Sequence, residues 1–373
     1  FDGKRAVQNF TGLGNYSRYV ADILCHFYPE NDYVLYAPKK RENKRMNLLT
    51  GQYRQLTLAY PATSFWKKLS SLWRVWGITS QLEKEGIELF HGLSNELPLN
   101  IHKSRIKSIV TIHDLIFLRY PQYYQSIDRK IYTYKFRKAC ENADKIIAIS
   151  ECTKRDIIRY FNIPDDKIEV VYQGCDVSYT HPVTEEKKEE VRKKYQLPDH
   201  YILNVGSIEE RKNILAAVQA LPMLPQHIHI VIVGRRTGYT EKVEQFIKDN
   251  GLGERVHIIS NVPFNDLPAF YQSAEIFVYP SRFEGFGIPI IEALYSGIPV
   301  VAATGSCLEE AGGPDSIYVN PDDITGLADA FKQIYSNSDK RKNMVEKGRE
   351  FAKRFSEKQQ SEEIINIYKK LIR

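Results

Sequence analysis

Two glutamates, Glu284 and Glu292, are separated by the seven residues Gly-Phe-Gly-Ile-Pro-Ile-Ile. Glu284 lies in a glycine-rich loop, whereas Glu292 lies inside a predicted helix that begins near Pro289 and ends at Gly297. The loop glycines allow a tight bend that presents backbone amides to an anion or to sugar hydroxyls. Glu284 is therefore expected to face a ligand, whereas Glu292 is expected about one turn inside the helix, near its positive end. Structural roles, as a solvated turn residue and a helix-start carboxylate, remain the alternative for each.

Two adjacent cations, Arg211 and Lys212, lie in the stretch NVGSIEERKNILAAVQAL, residues 204–221. This stretch predicts a strand that ends near Gly206 and a helix over 209–220, with both cations at the helix start. Cations at a helix N-terminus oppose its dipole, so a bound anion explains them better than helix stability does. Arginine binds phosphate with two parallel hydrogen bonds and lysine adds a compact charge, which favours a diphosphate. The chain has no P-loop motif.

A glycine loop and a histidine lie in the first half of the chain. Gly12 and Gly14 precede a helical pattern in NFTGLGNYSRYV, and His113 follows the apolar run of VTIHDLIF. A glycine loop before a helix is typical of a phosphate cradle, but the third glycine of the dinucleotide fingerprint is missing. For His113, at the expected end of a strand, catalytic and structural roles are both open.

The elements that position these residues are predicted from alternating apolar runs and helical patterns. Continuously apolar runs are typical of parallel strands covered by helices on both faces. The runs lie at 107–114, 144–150, 168–174, 201–207, 229–234, 256–260, 275–281 and 298–303, and helices are expected at 209–220, 240–250, 265–273 and 289–296. We therefore predict an α/β fold of two Rossmann-like, doubly wound parallel-sheet domains facing a central cleft, with ligands beyond the carboxyl ends of the strands.

The polar, charge-rich stretch 178–200 divides the two series of strands. The predicted domains are 1–178 and 179–354, and the amphipathic final helix, about 355–373, is suited to packing back on the first domain. Residues 1–178 hold 27 Lys or Arg against 19 Asp or Glu, whereas the remainder holds 25 against 27. A basic first domain favours an anionic partner.

The five cysteines are scattered, odd in number and without a C-x-x-C motif. This pattern is typical of reduced thiols in a cytoplasmic protein rather than of disulfides or a zinc site. No apolar run reaches the length of about 18 residues that a membrane-spanning helix needs.

All three tryptophans lie in SFWKKLSSLWRVWGI, residues 64–78. Helical spacing predicts one apolar face and one polar face. The apolar face comprises Phe65, Trp66, Leu69, Leu72, Trp73 and Trp76, and the polar face comprises Lys67, Lys68, Ser70, Ser71 and Arg74. Two interpretations are open, a helix packed into the first domain or a basic helix at a membrane surface. His91, in FHGLSNELP, is a candidate contact for an acceptor.

Taken together, these stretches resemble retaining glycosyltransferases of the GT-B fold, in the family four that includes bacterial mannosyltransferases. The family pattern P-S-x-x-E-G-F-G-[LI]-P-x-x-E-A is present as PSRFEGFGIPIIEA, residues 280–293. The GSIEERKN stretch, the GLG loop and the TIHD strand end match as well, so the resemblance extends over nearly the whole chain. One departure is that only FDGKRAV stands where the family usually has a complete first strand.

The resemblance implies a role for each matching residue of the second domain. Glu292 binds the ribose hydroxyls of a nucleotide, Arg211 and Lys212 hold its diphosphate, and Glu284 binds the donor sugar. Backbone amides also face that sugar, namely those of Phe286, Gly287 and Ile288.

The resemblance implies further contacts of lower specificity. Gly14, with Gly12 shaping the turn, brings a backbone amide to the distal phosphate, and His113 contacts the sugar near the reacting carbon. Val262 lies in the stretch whose backbone contacts the base. Ser281 and Glu310 match further family positions close to the donor-binding motif.

The implied activity is transfer of a hexose, with mannose as the first choice, from a GDP-, UDP- or ADP-sugar to a glycan or lipid-linked acceptor in cell-surface polysaccharide or lipopolysaccharide synthesis. The reaction retains anomeric configuration and needs no metal ion or other cofactor. We expect no nucleic-acid partner and a cytoplasmic location, with peripheral contact to the inner membrane face if residues 64–78 bind lipid. A non-catalytic basic module for a membrane or an anion, and a Rossmann-type dinucleotide oxidoreductase, are the alternatives.

Overall fold

The computed structural model describes residues 1–10 and 12–372. The chain divides into two compact units, an N-terminal unit of Phe1–Tyr172 with Glu357–Arg373 and a C-terminal unit of Gln173–Ser356. The division falls at Tyr172, whereas the sequence analysis draws it at residue 178. The last helix is Glu357–Ile372, and the final position of the predicted helix, Arg373, lies outside the described residues.

The N-terminal unit contains two parallel sheets. A small sheet pairs β1 (Tyr33–Tyr36) with β2 (Leu56–Ala59), and a larger one has the order β3-β4-β5-β6. The strands of the larger sheet are β3 (Leu89–Gly92), β4 (Lys107–Ile112), β5 (Lys145–Ala148) and β6 (Ile168–Val170). Each pairs with its sequence neighbour in parallel, so their carboxyl ends lie along one edge.

Helices connect these strands. They are α1 (Lys4–Gln8), α2 (Gly12–Phe27), α3 (Lys44–Gln52), α4 (Ser64–Lys68), α5 (Ser70–Leu72), α6 (Ile78–Lys84), α7 (Ile116–Arg119), α8 (Ser126–Asn142) and α9 (Glu151–Phe161).

The C-terminal unit has one parallel sheet of six strands in the order β12-β11-β10-β7-β8-β9. Its strands are β7 (Tyr201–Val205), β8 (His229–Val233), β9 (Val256–Ile259), β10 (Ile276–Tyr279), β11 (Val300–Ala303) and β12 (Ile317–Val319). The chain moves outward from β7 in one direction and from β10 in the other, which is the doubly wound arrangement predicted from the continuous apolar runs.

The helices of this unit cover both faces of the sheet. They are α10 (Glu185–Tyr195), α11 (Ile214–Ala220), α12 (Thr240–Asp249), α13 (Leu267–Ser273), α14 (Ile288–Ser296), α15 (Leu308–Gly312), α16 (Ile324–Ser336) and α17 (Ser338–Ala352). Branched aliphatic side chains from the strands form the core with these helices; Ile230, Ile232 and Val301 are fully buried.

The last helix, α18 (Glu357–Ile372), returns to the N-terminal unit. Ile364, Ile365, Ile367 and Tyr368 are buried in the core that also contains Val20 and neighbouring residues of α2. Burial of each such aliphatic side chain contributes about 1.5–3 kcal/mol, so this helix is an integral part of the unit.

The predicted continuous helix over residues 64–78 is wrong. The segment breaks at Leu69, whose φ of −106° and ψ of 41° are not helical, and a π-helical turn, Trp73–Gly77, precedes α6. Trp73 is fully buried and its indole donates to Gln81 at 3.1 Å, whereas Trp76 is 51% exposed. Trp73 and Trp76 both lie in the π-helical turn and differ in exposure, so the tryptophans do not form one apolar face.

Arg74 is also misplaced by the helical pattern. Helical spacing places Arg74 on the polar face, but its side chain is largely buried and pairs with Asp2 and Glu96. Two carboxylates explain why a cation is retained there, since a buried charge needs compensating partners.

Several further features follow from the described residues. All five cysteines are buried free thiols. No helix within residues 1–10 and 12–372 is long and apolar enough to cross a membrane.

Candidate functional site

The candidate site of the C-terminal unit lies where the strand order reverses. β7 and β10 are neighbours in the sheet, and the chain leaves them toward opposite edges. In open parallel sheets, ligands bind beyond the carboxyl ends of the strands at this position. Arg211 and Lys212 follow β7, and Glu284 follows β10, so the reversal brings the three predicted side chains together.

The two cations lie on a 3₁₀ turn, Glu210–Lys212, rather than in the first turn of a helix. Asn213 separates this turn from α11, with a left-handed φ of 55°. Its side-chain amide Nδ2 donates to Pro280 O at 3.2 Å and to Pro321 O at 2.8 Å, which anchors the bend. The prediction that a helix begins at residue 209 is therefore wrong, because the left-handed residue interrupts it.

Glu284 contacts both cations. Its Oε2 lies 2.9 Å from Arg211 Nη1, and its Oε1 lies 3.0 Å from Lys212 Nζ. Burial by itself raises the pKa of the Glu284 carboxyl, but Lys212 and Arg211 outweigh burial and lower the pKa to about 2. Glu284 is consequently a fixed anion that holds two cations in place.

Lys212 has a second partner in Tyr279, the last residue of β10. Its ammonium donates to the tyrosine hydroxyl at 2.9 Å and lies 5.2 Å from the ring centroid. Burial lowers the pKa of Lys212, but Glu284 and Tyr279 raise it, and the net direction is upward. Lys212 therefore remains charged across the physiological pH range.

Glu292 lies one turn inside α14, in a different environment. Its Oε2 accepts a hydrogen bond of 2.6 Å from the Tyr271 hydroxyl of α13. Burial raises the pKa of Glu292 to about 7, against the hydrogen bond from Tyr271, and the negative charge of Asp176 adds to the rise. Tyr179 packs edge-on against Tyr271 with the ring centroids 5.3 Å apart.

The loop between Glu284 and α14 is shaped by Gly287 and Cys307. Gly287 has a φ of 140°, which other residues rarely adopt, and a Cβ there would lie 3.2 Å from Leu308. The Cys307 thiol lies 3.0 Å from Glu284 O and 2.8 Å from Phe286 O. Since the peptides are trans, carbonyls directed at Cys307 orient the following amides of Gly285 and Gly287 to the opposite side.

The remaining predicted positions of this unit are distributed around the loop. Ile288 is the first residue of α14, and Ser281 is fully buried. The Ser281 hydroxyl has no hydrogen-bond partner among the described residues. Glu310 lies half-buried on α15, and Val262 is half-buried in the loop after β9.

His113 follows β4 in the N-terminal unit and is buried. Its Nε2 bonds to Leu93 O at 2.9 Å, and the Tyr16 ring packs edge-on against the imidazole at 4.6 Å. Burial lowers the pKa of His113 to about 4, so the imidazole is neutral at pH 7 and donates from Nε2. This neutral ring suits a hydrogen-bonding contact better than a cationic one.

Gly12 and Gly14 lie in the first turns of α2. A Cβ on Gly14 would lie 2.0 Å from Asn9 O, whereas a Cβ on Gly12 would meet nothing within 4 Å. Close backbone approach therefore requires a glycine only at position 14.

His91 is fully buried, and both ring nitrogens are bonded. Nδ1 lies 2.6 Å from the Tyr368 hydroxyl and Nε2 lies 2.8 Å from Thr111 Oγ1. Burial also lowers its pKa to about 3. These bonds join β3 to α18, and they account for His91 without an acceptor.

Sequence reasoning missed Tyr271, Tyr279 and Cys307. The sequence could have indicated Tyr279, because this residue ends the strand before the glycine loop. Tyr271 and Cys307 carried no signal, since their contacts with Glu292 and with the loop carbonyls depend on how α13, α14 and α15 pack.

Comparison with known proteins decides the family. The model for Glycosyltransferase Family 4 matches residues 17–179, and the model for Glycosyl transferases group 1 matches residues 187–351. O-antigen chain mannosyltransferase B of Escherichia coli is 31% identical over 289 residues, which cover 76% of this chain and 74% of that protein. The chain belongs to glycosyltransferase family four. A second family relative, O-antigen chain mannosyltransferase RfbU of Salmonella typhimurium, is 29% identical over 60% of each chain.

Solved structures of glycosyltransferases share the fold. A glycosyltransferase from Rickettsia africae has a TM-score of 0.79 at 21% identity, covering 98% of this chain and 97% of that one. Anabaena HepE, in complex with UDP and glucose, has a TM-score of 0.77 at 17% identity, covering 97% and 96%. The predicted GT-B fold is confirmed by these likenesses.

Proposed function

We propose that this family-four glycosyltransferase transfers a hexose from a nucleotide-diphosphate sugar to a glycan or lipid-linked acceptor. The proposal rests on the cluster of charged side chains at the carboxyl ends of β7 and β10. There, Arg211 and Lys212 both contact Glu284, at 2.9 and 3.0 Å, and Arg211 also lies 3.7 Å from Glu209. Two cations fixed at a sheet reversal suit a diphosphate.

In this proposal, the two glutamates bind different parts of the donor. Glu284 and the amides of the 286–288 loop bind the sugar, and Glu292 accepts hydrogen bonds from the ribose hydroxyls. Tyr271 donates to Oε2 of Glu292, and the Tyr179 hydroxyl also interacts with this carboxylate. We propose that the ribose hydroxyls donate to the same carboxylate. Val262, Ser281 and Glu310 are proposed as neighbouring donor contacts, and the unpartnered hydroxyl of buried Ser281 supports its inclusion.

The N-terminal unit is proposed to bind the acceptor. Two residues of this unit are also proposed to contact the donor. The Gly14 amide would contact its distal phosphate, and His113 would contact its sugar. We assign His91 a structural role instead, because both of its ring nitrogens are bonded within the unit.

Catalysis follows from electrostatics in this account. Negative charge grows on the departing diphosphate as the anomeric bond breaks, and the preorganised charges of Arg211 and Lys212 oppose it. Removal of one such donor typically costs about 10²–10³ in rate. We propose that these fixed cations serve in place of a metal ion and that the reaction retains anomeric configuration, with the leaving phosphate accepting the acceptor proton.

GDP-mannose is the first candidate donor, because the relatives with about 30% identity are named as O-antigen mannosyltransferases. UDP-glucose is the second, and ADP-sugars follow. A cytoplasmic location with a membrane-linked acceptor fits synthesis of a cell-surface polysaccharide.

A donor screen tests the proposal. The chain is incubated with GDP-mannose, UDP-glucose and ADP-glucose, with and without lipid and glycan extracts, and released nucleotide diphosphate is measured. We expect turnover of one donor and its loss in Glu284→Gln, with Glu244→Gln, on the outside of α12, as the matched carboxylate control. Absence of turnover for every donor with extracts present contradicts the proposal and favours a binding module.

A further inference from the structure

Helix α8 in the N-terminal unit exposes a row of apolar side chains. Ile127 is 71% exposed, Ile131 is 44% exposed and Tyr134 is 56% exposed. Their spacing of four and three residues places them on one face of the helix. The opposite face packs inward through Phe136, Ala139 and Cys140. The outward row therefore lacks the burial that residues of this type usually find.

Cations flank this apolar row. Helix α8 contains five Lys or Arg against two acidic residues. Lys130 and Arg137 are exposed beside the row, and Lys138 follows Tyr134 by one turn. Lys138 pairs with Glu141 at 2.7 Å, so Lys130 and Arg137 supply most of the positive charge of the face.

A shallow groove of about 690 Å³, open to solvent, runs along one flank of α8 and is lined by residues of that helix alone. Four of them are cations, Arg129, Lys130, Arg137 and Lys138, and the others are Ser126, Thr133, Tyr134 and Glu141. The Nε of Arg129 is buried and has no hydrogen-bond partner among the described residues. A groove with this charge suits an anionic head group.

A second exposed apolar group lies in the broken segment 64–76. Phe65 is 61% exposed, Leu72 is 50% exposed and Trp76 is 51% exposed, and Lys67 and Lys68 are exposed between them.

The loop after β3 joins this segment to α8. Glu96 contacts Arg74 on one side and lies 3.7 Å from Lys135 of α8 on the other. Leu99 N donates to Val75 O at 2.9 Å, and Asn142 donates to Leu99 O at 3.0 Å. The two exposed groups therefore border the same loop within one unit.

We propose that the outer face of α8 and segment 64–76 together form a docking face for a bilayer that contains anionic phospholipid. Apolar and aromatic side chains enter the level below the head groups, while the lysines and arginines meet the lipid phosphates. The charge of the face selects anionic lipid in particular. Because docking needs neither donor nor acceptor, it is independent of the proposed sugar transfer.

Vesicle co-sedimentation tests the docking face. The full chain is mixed with vesicles of phosphatidylcholine alone or with an equal part of phosphatidylglycerol. We expect binding to the anionic vesicles that weakens as salt is raised. Lys130→Gln with Arg137→Gln weakens the partition coefficient by about tenfold or more, and Ile127→Ser with Ile131→Ser does the same. All four positions are exposed, so the variants are expected to fold.

Matched controls separate this face from general charge and apolar effects. Lys242→Gln with Lys248→Gln, on α12, and Met223→Ser, which is 42% exposed, leave binding unchanged. Three outcomes overturn the proposal. The wild-type chain binds neither vesicle type, or it binds both equally, or the α8 variants bind the anionic vesicles as tightly as the wild-type chain. Nucleotide binding is measured on the same variants and stays unchanged, so failure of docking and failure of sugar transfer are read separately.

Discussion

Glu284 and Glu292 have the same side chain and opposite pKa shifts, because their neighbours differ. Two cations lower the pKa of Glu284 to about 2 against the effect of burial. Glu292 has no cation of this kind in the contacts that determine its pKa, and burial raises its pKa to about 7. One glutamate is therefore a permanent anion, and the other changes charge near neutrality.

Stability is expected to depend on pH through Glu292. In the unfolded chain this carboxyl ionises near 4.5, but in the folded unit it stays protonated up to about pH 7. Between these values the unfolded state binds fewer protons, so the free energy of unfolding falls as pH rises. Glu292→Gln removes this loss and raises stability above about pH 7 by up to about 3 kcal/mol, at roughly 1.4 kcal/mol per pKa unit. Thermal melts across pH measure the effect.

The same substitution weakens donor binding, because an amide replaces the carboxylate that accepts from the ribose. Tyr271→Phe is the matched control, since it keeps Glu292 and removes its hydroxyl partner. We expect it to shift the pH dependence of donor affinity upward with a smaller loss of affinity. The other groups facing Glu292 are Tyr179 and Asp176, and they stay unchanged in both variants. A Glu292→Gln chain with the wild-type pH dependence of stability contradicts this account.

At the scale of the element, loop geometry determines which glycines are required. Gly14 lies so close to Asn9 that a Cβ would be 2.0 Å from its carbonyl oxygen. Gly287, before α14, has a φ of 140°. Gly12, by contrast, has open space around it. The sequence motif G-x-G therefore contains one glycine that packing demands and one that it does not.

Substitution of Gly14 and of Gly12, at the start of α2, separates these cases. Gly14→Ala forces the backbone of Asn9 and Gly14 apart and is expected to lower the free energy of unfolding by about 1–3 kcal/mol, the usual cost of overpacking. Gly12→Ala, the matched control, is expected to change stability by no more than about 0.5 kcal/mol. Chemical denaturation of both variants measures the difference. Equal losses contradict the assigned packing.

For the whole molecule, the sequence predicted the class of fold and the core of the site. Each of the eight predicted strand runs contains a strand, because continuous apolar runs leave few alternatives for their burial. β1, β2, β3 and β12 lie outside those eight runs. Of these, β2 and β12 are only partly buried, so they lack the strong apolar signal of the central strands. Arg211, Lys212 and Glu284 are brought together as strand-end positions.

The rest depended on packing that no local pattern carries. Arg74 is buried against Asp2, which is 72 residues away in sequence, and against Glu96, which is 22 residues away. The pairing of His91 with Tyr368 likewise joins positions 277 residues apart in sequence. Helical spacing describes one element at a time, so it cannot include such partners.

The return of α18 to the N-terminal unit makes a testable prediction. Ile364 is 1% exposed in the core with α2, whereas Ile372 at the end of the same helix is 46% exposed. Ile364→Ala is expected to cost about 2–5 kcal/mol and to increase hydrogen exchange in α2, with no increase in β7 and β10 of the other unit. Ile372→Ala is the control, with a change within about 0.5 kcal/mol. Equal effects of the two substitutions contradict the packing of α18.

The central claim is that a nucleotide diphosphate binds beside Arg211 and Lys212. Calorimetric titration tests it most directly, with the diphosphate that the donor screen selects. Arg211→Gln with Lys212→Gln is predicted to weaken the affinity of the wild-type chain by about a hundredfold, since two charge-assisted contacts are lost. Lys242→Gln with Lys248→Gln removes the same charge from α12 and is predicted to bind as tightly as wild type. Unchanged affinity in the Arg211 and Lys212 variant, with its fold intact, contradicts the claim.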